Sequence, residues 1–172
     1  YLGGPEAGAG GRGTARKALI AVAAQEAGRG IGRVRLRRIT DVSALTLGRF
    51  VDQAVEPGSL LRTDGWPAYL SVQLRGYRHE VRVIGRRRAL ASELLPRVHR
   101  VVALLKRWLM GTHQGAVRHP HLDYYLDEFT FRFNRRTSGS RGLLFYRLVQ
   151  QAVATPPQPY DALIDPPQVG VG

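Results

Sequence analysis

Residues 59–69, Ser-Leu-Leu-Arg-Thr-Asp-Gly-Trp-Pro-Ala-Tyr, decide how the chain is read. Ser59–Thr63 has the length and apolar content of a short strand, and Asp64-Gly65 ends it. Trp66-Pro67 then opens a short helix to Leu74, with proline at an early helical position that needs no N–H donor. His79–Ile84 (HEVRVI) reads as the next strand. Strand, helix and strand in that order suggest a parallel pair.

Upstream of this stretch the pattern differs. Lys17–Glu26 (KALIAVAAQE) is an apolar run compatible with a buried strand or a short helix, and its pairing with the next segment favours a strand. Gly28–Gly32 reads as a turn. Gly32–Ile39 alternates: Val34, Leu36 and Arg38 point one way, Arg33, Arg35 and Arg37 the other. Two adjacent strands joined by a turn suggest an antiparallel pair. A helix from Ser43, as N-cap, to about Val55 carries Leu45, Leu47, Phe50, Val51 and Ala54 as its apolar positions. Downstream, Gly85–Arg88 is a basic loop, and a long helix starting at Leu90 or Pro96 runs to Met110. Gly111–Pro120 reads as a loop, and helices follow at His121–Arg135 and Arg141–Thr155. The order β-β-α-β-α-β and then helices defines an α/β fold with extra C-terminal helices. Residues 1–155 are expected to form one domain, and the proline-rich residues 156–172 a disordered tail.

Composition narrows the function. The formal net charge is +13 over 172 residues. That excess on a folded domain favours a polyanionic partner, above all nucleic acid. There are no cysteines, which excludes disulfides, thiolate zinc sites and cysteine nucleophiles. No apolar run is long enough to span a membrane, and no leader pattern stands at the start. A cytosolic location is expected. A first residue other than Met fits a fragment or a processed start. Lys17 and Lys106 are the lysines of the chain, and every other basic residue of the Lys/Arg class is arginine. GC-rich coding would produce that bias, but it singles out Lys106 inside a helix.

Three places could carry chemistry. A carboxylate at the end of a strand and followed by glycine, as Asp64 is, suits a metal ion beside a phosphate. The same residue could instead be a turn aspartate that caps the next helix. On the long helix, Val98, Val101, Val102, Leu104, Leu105, Trp108 and Leu109 fill one apolar arc at about 100° per residue. His99, Ala103 and Lys106 share the opposite strip, with Arg100 and Arg107 beside them. His99 and Lys106 stand about 10 Å apart along the axis. An imidazole ligates metals or moves protons and an ammonium holds phosphate, although a solvated basic face would look the same. In the next helix Leu122, Tyr125, Leu126, Phe129 and Phe133 form a core stripe. Asp127 and Glu128 are surface charges or orient basic neighbours. Arg132, Arg135 and Arg136 form a phosphate-binding patch, or complement the helix dipole. His113, His119 and His121 lack partners spaced for zinc and read as structural or surface residues.

Several segments together resemble the DDE-type transposases of one insertion-sequence group, the ISXO-like catalytic domain. They are Tyr1–Gly4, Leu61–Tyr69, Gly76–His79, Val98–Val101 running into Leu105–Trp108, Gly111–Gly115 and Tyr125–Arg136. Each is modest alone; their order and spacing over residues 1 to about 153 are specific. The resemblance implies a ribonuclease-H-like mixed sheet flanked by helices, and two divalent ions, Mg²⁺ or Mn²⁺, held by acidic residues. It implies nicking at the ends of a mobile element, followed by attack of the freed 3′-hydroxyl on target DNA, in a homo-oligomer on DNA with no membrane partner.

In that family the first aspartate lies just before the Tyr-Leu-Gly-Gly segment, so it is expected upstream of Tyr1. Asp64 matches the second acidic position. His99 stands at the third, where Glu or Asn is usual, and Lys106 follows seven residues later. The catalytic set implied is therefore Asp64, His99 and Lys106, with Asp64 and His99 as metal ligands. Arg86, Arg87, Arg88, Arg100, Arg107, Arg132, Arg135 and Arg136 are the expected DNA contacts. The histidine departs from the family and favours Mn²⁺, which accepts imidazole more readily than Mg²⁺. The family's N-terminal zinc module has no counterpart here. A catalytically dead DNA-binding remnant is the competing reading. A junction-resolving nuclease fits the Asp64–His99–Lys106 spacing less well.

Overall fold

The computed structural model describes residues 18–82, 94–114, 121–157 and 159–161. Strands β1 (Leu19–Ala27) and β2 (Gly30–Ile39) form an antiparallel hairpin closed by Gly28-Arg29. Gly30 and Ile31 thus belong to the strand and not to the turn expected at 28–32. The predicted alternation holds: Val34 is buried and Leu36 and Arg38 are half-buried, whereas Arg33, Arg35 and Arg37 are exposed.

Helix α1 (Ala44–Ala54) starts at the expected cap, Ser43. The Ser43 hydroxyl accepts from the Thr46 N–H at 3.3 Å, satisfying one of the donors left open at a helix start. Leu47, Phe50 and Val51 are buried. Leu45, expected among them, is 56% exposed, because it lies about 200° round the helix from Leu47. Arg75 lies across Gly48 to pair with Asp52. A Cβ at Gly48 would stand 2.6 Å from the Arg75 Nε, so the side-chain-free residue is what lets Arg75 cross the helix there.

Asp41 organises the approach to α1. Its carboxylate accepts from the Ser43 N–H at 2.7 Å and from the Thr40 hydroxyl at 3.0 Å. Hydrogen bonds from the Ser43 side chain, then from the Ser43 N–H and Thr46, lower its pKa from 3.8 to about 2. A folded-state pKa below the unfolded value stabilises the fold above the unfolded pKa, and that contribution disappears as pH falls through the folded one. Stability is therefore expected to drop between about pH 4 and pH 2 by a component that Asp41→Asn removes. Urea titrations of both proteins across that window measure it, and identical pH dependence would exclude the role.

Strands β3 (Leu60–Asp64) and β4 (Arg78–Arg82) pair in parallel, Leu60 opposite Arg78 and Asp64 opposite Arg82. β4 starts one residue before the expected 79, and residues 83–93, which include the expected end at 84, lie outside the described set. Between the strands runs a 3-10 helix, Pro67–Arg75, with Pro at its first turn. Val51, Val72 and Tyr77 form a buried cluster with Val55, Leu61 and Tyr69 against it. The Tyr77 hydroxyl donates to the Val55 carbonyl at 3.2 Å, so the polar end of this core aromatic is satisfied.

Helix α2 (Pro96–Thr112) packs against β1. It runs two residues past the expected end at Met110. Val101, Leu105 and Leu109 are buried, and His99, Arg100, Ala103, Lys106 and Arg107 are exposed, as their angular positions require. His113 meets Trp108 edge-on, ring centroids 4.7 Å apart.

The chain divides into two compact units, Tyr1–Ala116 and Val117–Gly172. The second holds α3 (Leu122–Asn134) and α4 (Arg141–Ala154). Leu122, Leu126, Phe129 and Phe133 of α3 are buried. The architecture is mixed α/β, with one antiparallel and one parallel strand pair among the described residues.

Candidate active site

Asp64 is the last residue of β3 and is exposed. Gly65 follows with φ 45°, a left-handed conformation that favours glycine. The 3-10 helix beyond is capped at Trp66 without any side-chain hydrogen bond. Asp64 therefore does not cap the next helix, which was the structural alternative for it. The Trp66 indole N–H donates to the Val42 carbonyl at 3.1 Å and ties this corner to the entrance of α1.

The two faces of β3 differ. Leu61 packs in the core and Thr63 is buried, with its hydroxyl 2.8 Å from His79 Nε2. Arg62 and Asp64 share the opposite face, since side chains alternate along a strand. That face carries a ladder of charges. Arg82 pairs with Glu80 at 2.9 Å, and Arg62 Nε donates to Glu80 at 2.7 Å. Arg62 also pairs with Glu26 of β1. Arg97 of α2 donates to Glu26 at 2.7 Å and to the carbonyls of Gly30 and Gly28 at 2.9 and 2.6 Å. Hydrogen bonds from Arg62 and then Arg82 hold the Glu80 carboxyl below the usual range. The hydrogen bonds that Arg62 donates to Glu80 and then to Glu26 push its guanidinium up. Solvent screens exposed pairs of this kind, so they add little to stability. Their consequence is geometric: the ladder fastens the start of α2, two residues before His99, to the face that bears Asp64.

On α2 the exposed strip of His99, Ala103 and Lys106, flanked by Arg100 and Arg107, is continuous. Tyr69 lies near Asp64: burial first, and then the Asp64 charge, push its phenol up. Neither Tyr69 nor the Arg97–Glu26–Arg62–Glu80 ladder was anticipated. The inverse pairs Arg62/Asp64 and Glu80/Arg82, each two apart, were the available signal for the strand part of the ladder. Nothing in sequence links Arg97 to Glu26.

In the second unit Arg135 stacks 3.8 Å from the Phe131 ring centroid, and Arg136 4.0 Å from that of Phe133. Arg136 also donates to the Phe133 carbonyl at 2.7 Å. Arg132 pairs with Glu128 at 2.9 Å. Glu128 thus orients a basic neighbour, one of the two roles expected for it. Desolvation and then Asp123 push the Asp127 carboxyl up. Arg86, Arg87, Arg88 and His119 lie outside the described residues. Among the described residues no group of three or more His, Asp or Glu side chains could hold a metal ion. Nor is any helix there long and apolar enough to cross a membrane.

Comparison with known families puts the chain among the insertion-sequence transposases of the DDE superfamily. The model of the ISXO2-like transposase domain matches residues 1–134, and the chain belongs to that family. No curated protein and no solved structure matches it.

Proposed function

We propose that this chain carries the catalytic core of a transposase that nicks DNA at the ends of an insertion sequence and transfers the freed 3′-hydroxyl to target DNA. The observation that supports the reading is Asp64, an exposed strand-end carboxylate that makes no helix cap, in the same compact unit as the exposed strip of His99 and Lys106. Arg97 ties the start of the helix of His99 and Lys106 to the face of β3 that bears Asp64, and His99 lies about 200° round that helix from Arg97. Asp64 acts at the scissile phosphate. Lys106 holds a neighbouring phosphate as a point charge. Arg100 and Arg107 extend the cationic strip along the DNA backbone, and Arg132, Arg135 and Arg136 form a second backbone contact, with Arg86, Arg87 and Arg88 in the same role. The DNA complex pairs two element ends on a homo-oligomer in the bacterial cytoplasm.

The fold of this reading is ribonuclease-H-like. One further strand between β1 and β3, at about 4.8 Å from each, would join the antiparallel and parallel pairs into one mixed sheet. The long side chains of Glu26 and Arg62 suit that separation. The family's first aspartate would stand on such a strand.

The family's chemistry uses two divalent ions. Asp64 supplies hard oxygen donors and His99 an imidazole, but the described residues do not make up a whole ligand set. The ions therefore need at least one carboxylate from outside them. The second reading is a DNA-binding remnant without chemistry. The codons immediately upstream of Tyr1 separate the two. An in-frame Asp on a strand-like run supports the enzyme; a stop codon or frameshift there supports the remnant.

If His99 is a ligand, the protein translated from the complete reading frame is expected to prefer Mn²⁺ over Mg²⁺. His99→Glu should raise the Mg²⁺/Mn²⁺ activity ratio. Equal ratios in the two proteins would remove His99 from the metal site.

A further inference from the structure

Strand β2 carries arginines that the proposed site does not use. Between Glu26 and Asp41 the chain holds Arg29, Arg33, Arg35, Arg37 and Arg38 and no carboxylate. Arg33, Arg35 and Arg37 alternate with Val34 and Leu36, so they share one face of the strand. All three are exposed, while Val34 on the other face is buried. An arginine that merely stabilises a sheet needs an opposite charge across from it. Arg62, Arg82 and Arg97 have one. Arg35 instead faces Ala23 across the hairpin, and Arg37 faces Ala21. Beside Arg33, β1 offers Gln25, whose side-chain oxygen accepts from the Arg33 N–H at 3.0 Å. The carboxylate of β1, Glu26, is taken by Arg62 and Arg97. Arg37 donates to Gln53 of α1, a neutral partner that orients the guanidinium and leaves its charge uncompensated. Among the described residues no carboxylate pairs with any of the three. Outside the described residues, arginine and lysine likewise outnumber aspartate and glutamate.

We propose that this face of β2 is a second track for duplex DNA, one that grips the phosphate backbone and reads no bases. It rests on the reading that the chain works on DNA, but none of its residues belongs to the cleavage site or to the arginines assigned above. Alternate residues of a strand stand about 6.8 Å apart, so the row is about 14 Å long. Along one strand of B-DNA that length covers about four phosphates, at about 3.4 Å of axis each. The row therefore fits a run of phosphates and not a single small anion. Each guanidinium presents a planar fork that matches a phosphate, and contacts of this kind fix position without reading sequence. Ala21 and Ala23 put no bulky side chain beside the row. The competing role is protection of an edge: β2 has a neighbour on one side only among the described residues, and charges on an edge strand keep it from pairing with other chains.

The test is the salt dependence of binding by the 172-residue chain to a duplex oligonucleotide of unrelated sequence, without metal, from about 50 to 200 mM salt. Each phosphate contact on a duplex contributes about 0.9 to the slope of log affinity against log salt. Arg33→Gln, Arg35→Gln and Arg37→Gln together should lower that slope by about 2.7. Arg33→Lys, Arg35→Lys and Arg37→Lys together should keep it. Arg35→Gln alone, at a side chain with no partner among the described residues, should lower it by about 0.9 with thermal unfolding unchanged. Arg78→Gln, at an exposed arginine of the other strand pair, should leave the slope as in wild type. A wild-type slope in the glutamine variants would leave these arginines as edge guards and overturn the proposal. An equal loss per arginine in Arg78→Gln would reduce the effect to net charge and overturn it too; both results leave the transposase reading standing. A wild-type chain with no affinity for the duplex would overturn both.

Discussion

Asp64→Asn is expected to abolish DNA cleavage by the protein of the complete reading frame while leaving its fold and DNA affinity intact. The exchange keeps the shape of the side chain and removes its charge. Asp64 is exposed, makes no helix cap and ends a strand whose packing comes from Leu61 and Thr63 on the other face. Its replacement therefore leaves stability within about 0.5 kcal/mol. Loss of a carboxylate acting at the reacting phosphate should cost at least about a thousandfold in rate, or about 4 kcal/mol in the barrier. Single-turnover cleavage at saturating DNA measures the loss, and thermal unfolding measures the fold. A rate within about threefold of wild type, less than 1 kcal/mol in the barrier, would return Asp64 to the status of a turn residue.

Neighbouring residues on α2 should respond in opposite ways. Leu105 is 2% exposed in the apolar arc, and Lys106 is exposed on the strip beyond it. Leu105→Ala removes buried methylenes and leaves a cavity, at a cost of about 2–5 kcal/mol. For a marginally stable chain that is a large share of the whole. Lys106→Ala touches no core and should change stability by less than about 0.5 kcal/mol. It removes a cation from a DNA phosphate close to the reacting one, so cleavage should fall by about a hundredfold at saturating DNA. Urea denaturation and single-turnover cleavage, run on both variants, separate packing from chemistry. Unchanged cleavage by Lys106→Ala would end its assignment; equal stability of Leu105→Ala and wild type would contradict the buried arc.

Much of the fold is readable from local pattern. Val34 and the arginines beside it alternate in step with the pleat, and Ser43 caps α1 by local hydrogen bonding. The arc of Val101, Leu105 and Leu109 follows from helical period alone. Each depends on neighbours within a few residues, which is what sequence displays. Leu45 departs from expectation because its hydrophobicity says nothing of its angle round the helix. The second helix proved to be 3-10; local apolar content did not distinguish this from an α-helix. The candidate site divides along the same line. Asp64 and the His99–Lys106 strip carry local signals, strand end and helical spacing. The Arg97–Glu26–Arg62–Glu80 ladder joins residues far apart in the chain, and only the packed sheet and helix reveal it.

The most direct measurement is nicking of a supercoiled plasmid that carries the element's ends, by the protein of the complete reading frame, with and without divalent ions. A DDE transposase core predicts nicks at the element ends, present with Mn²⁺ or Mg²⁺ and absent with chelator. DNA that is bound but never cut, or cut equally well without the ends or without the ions, would contradict it.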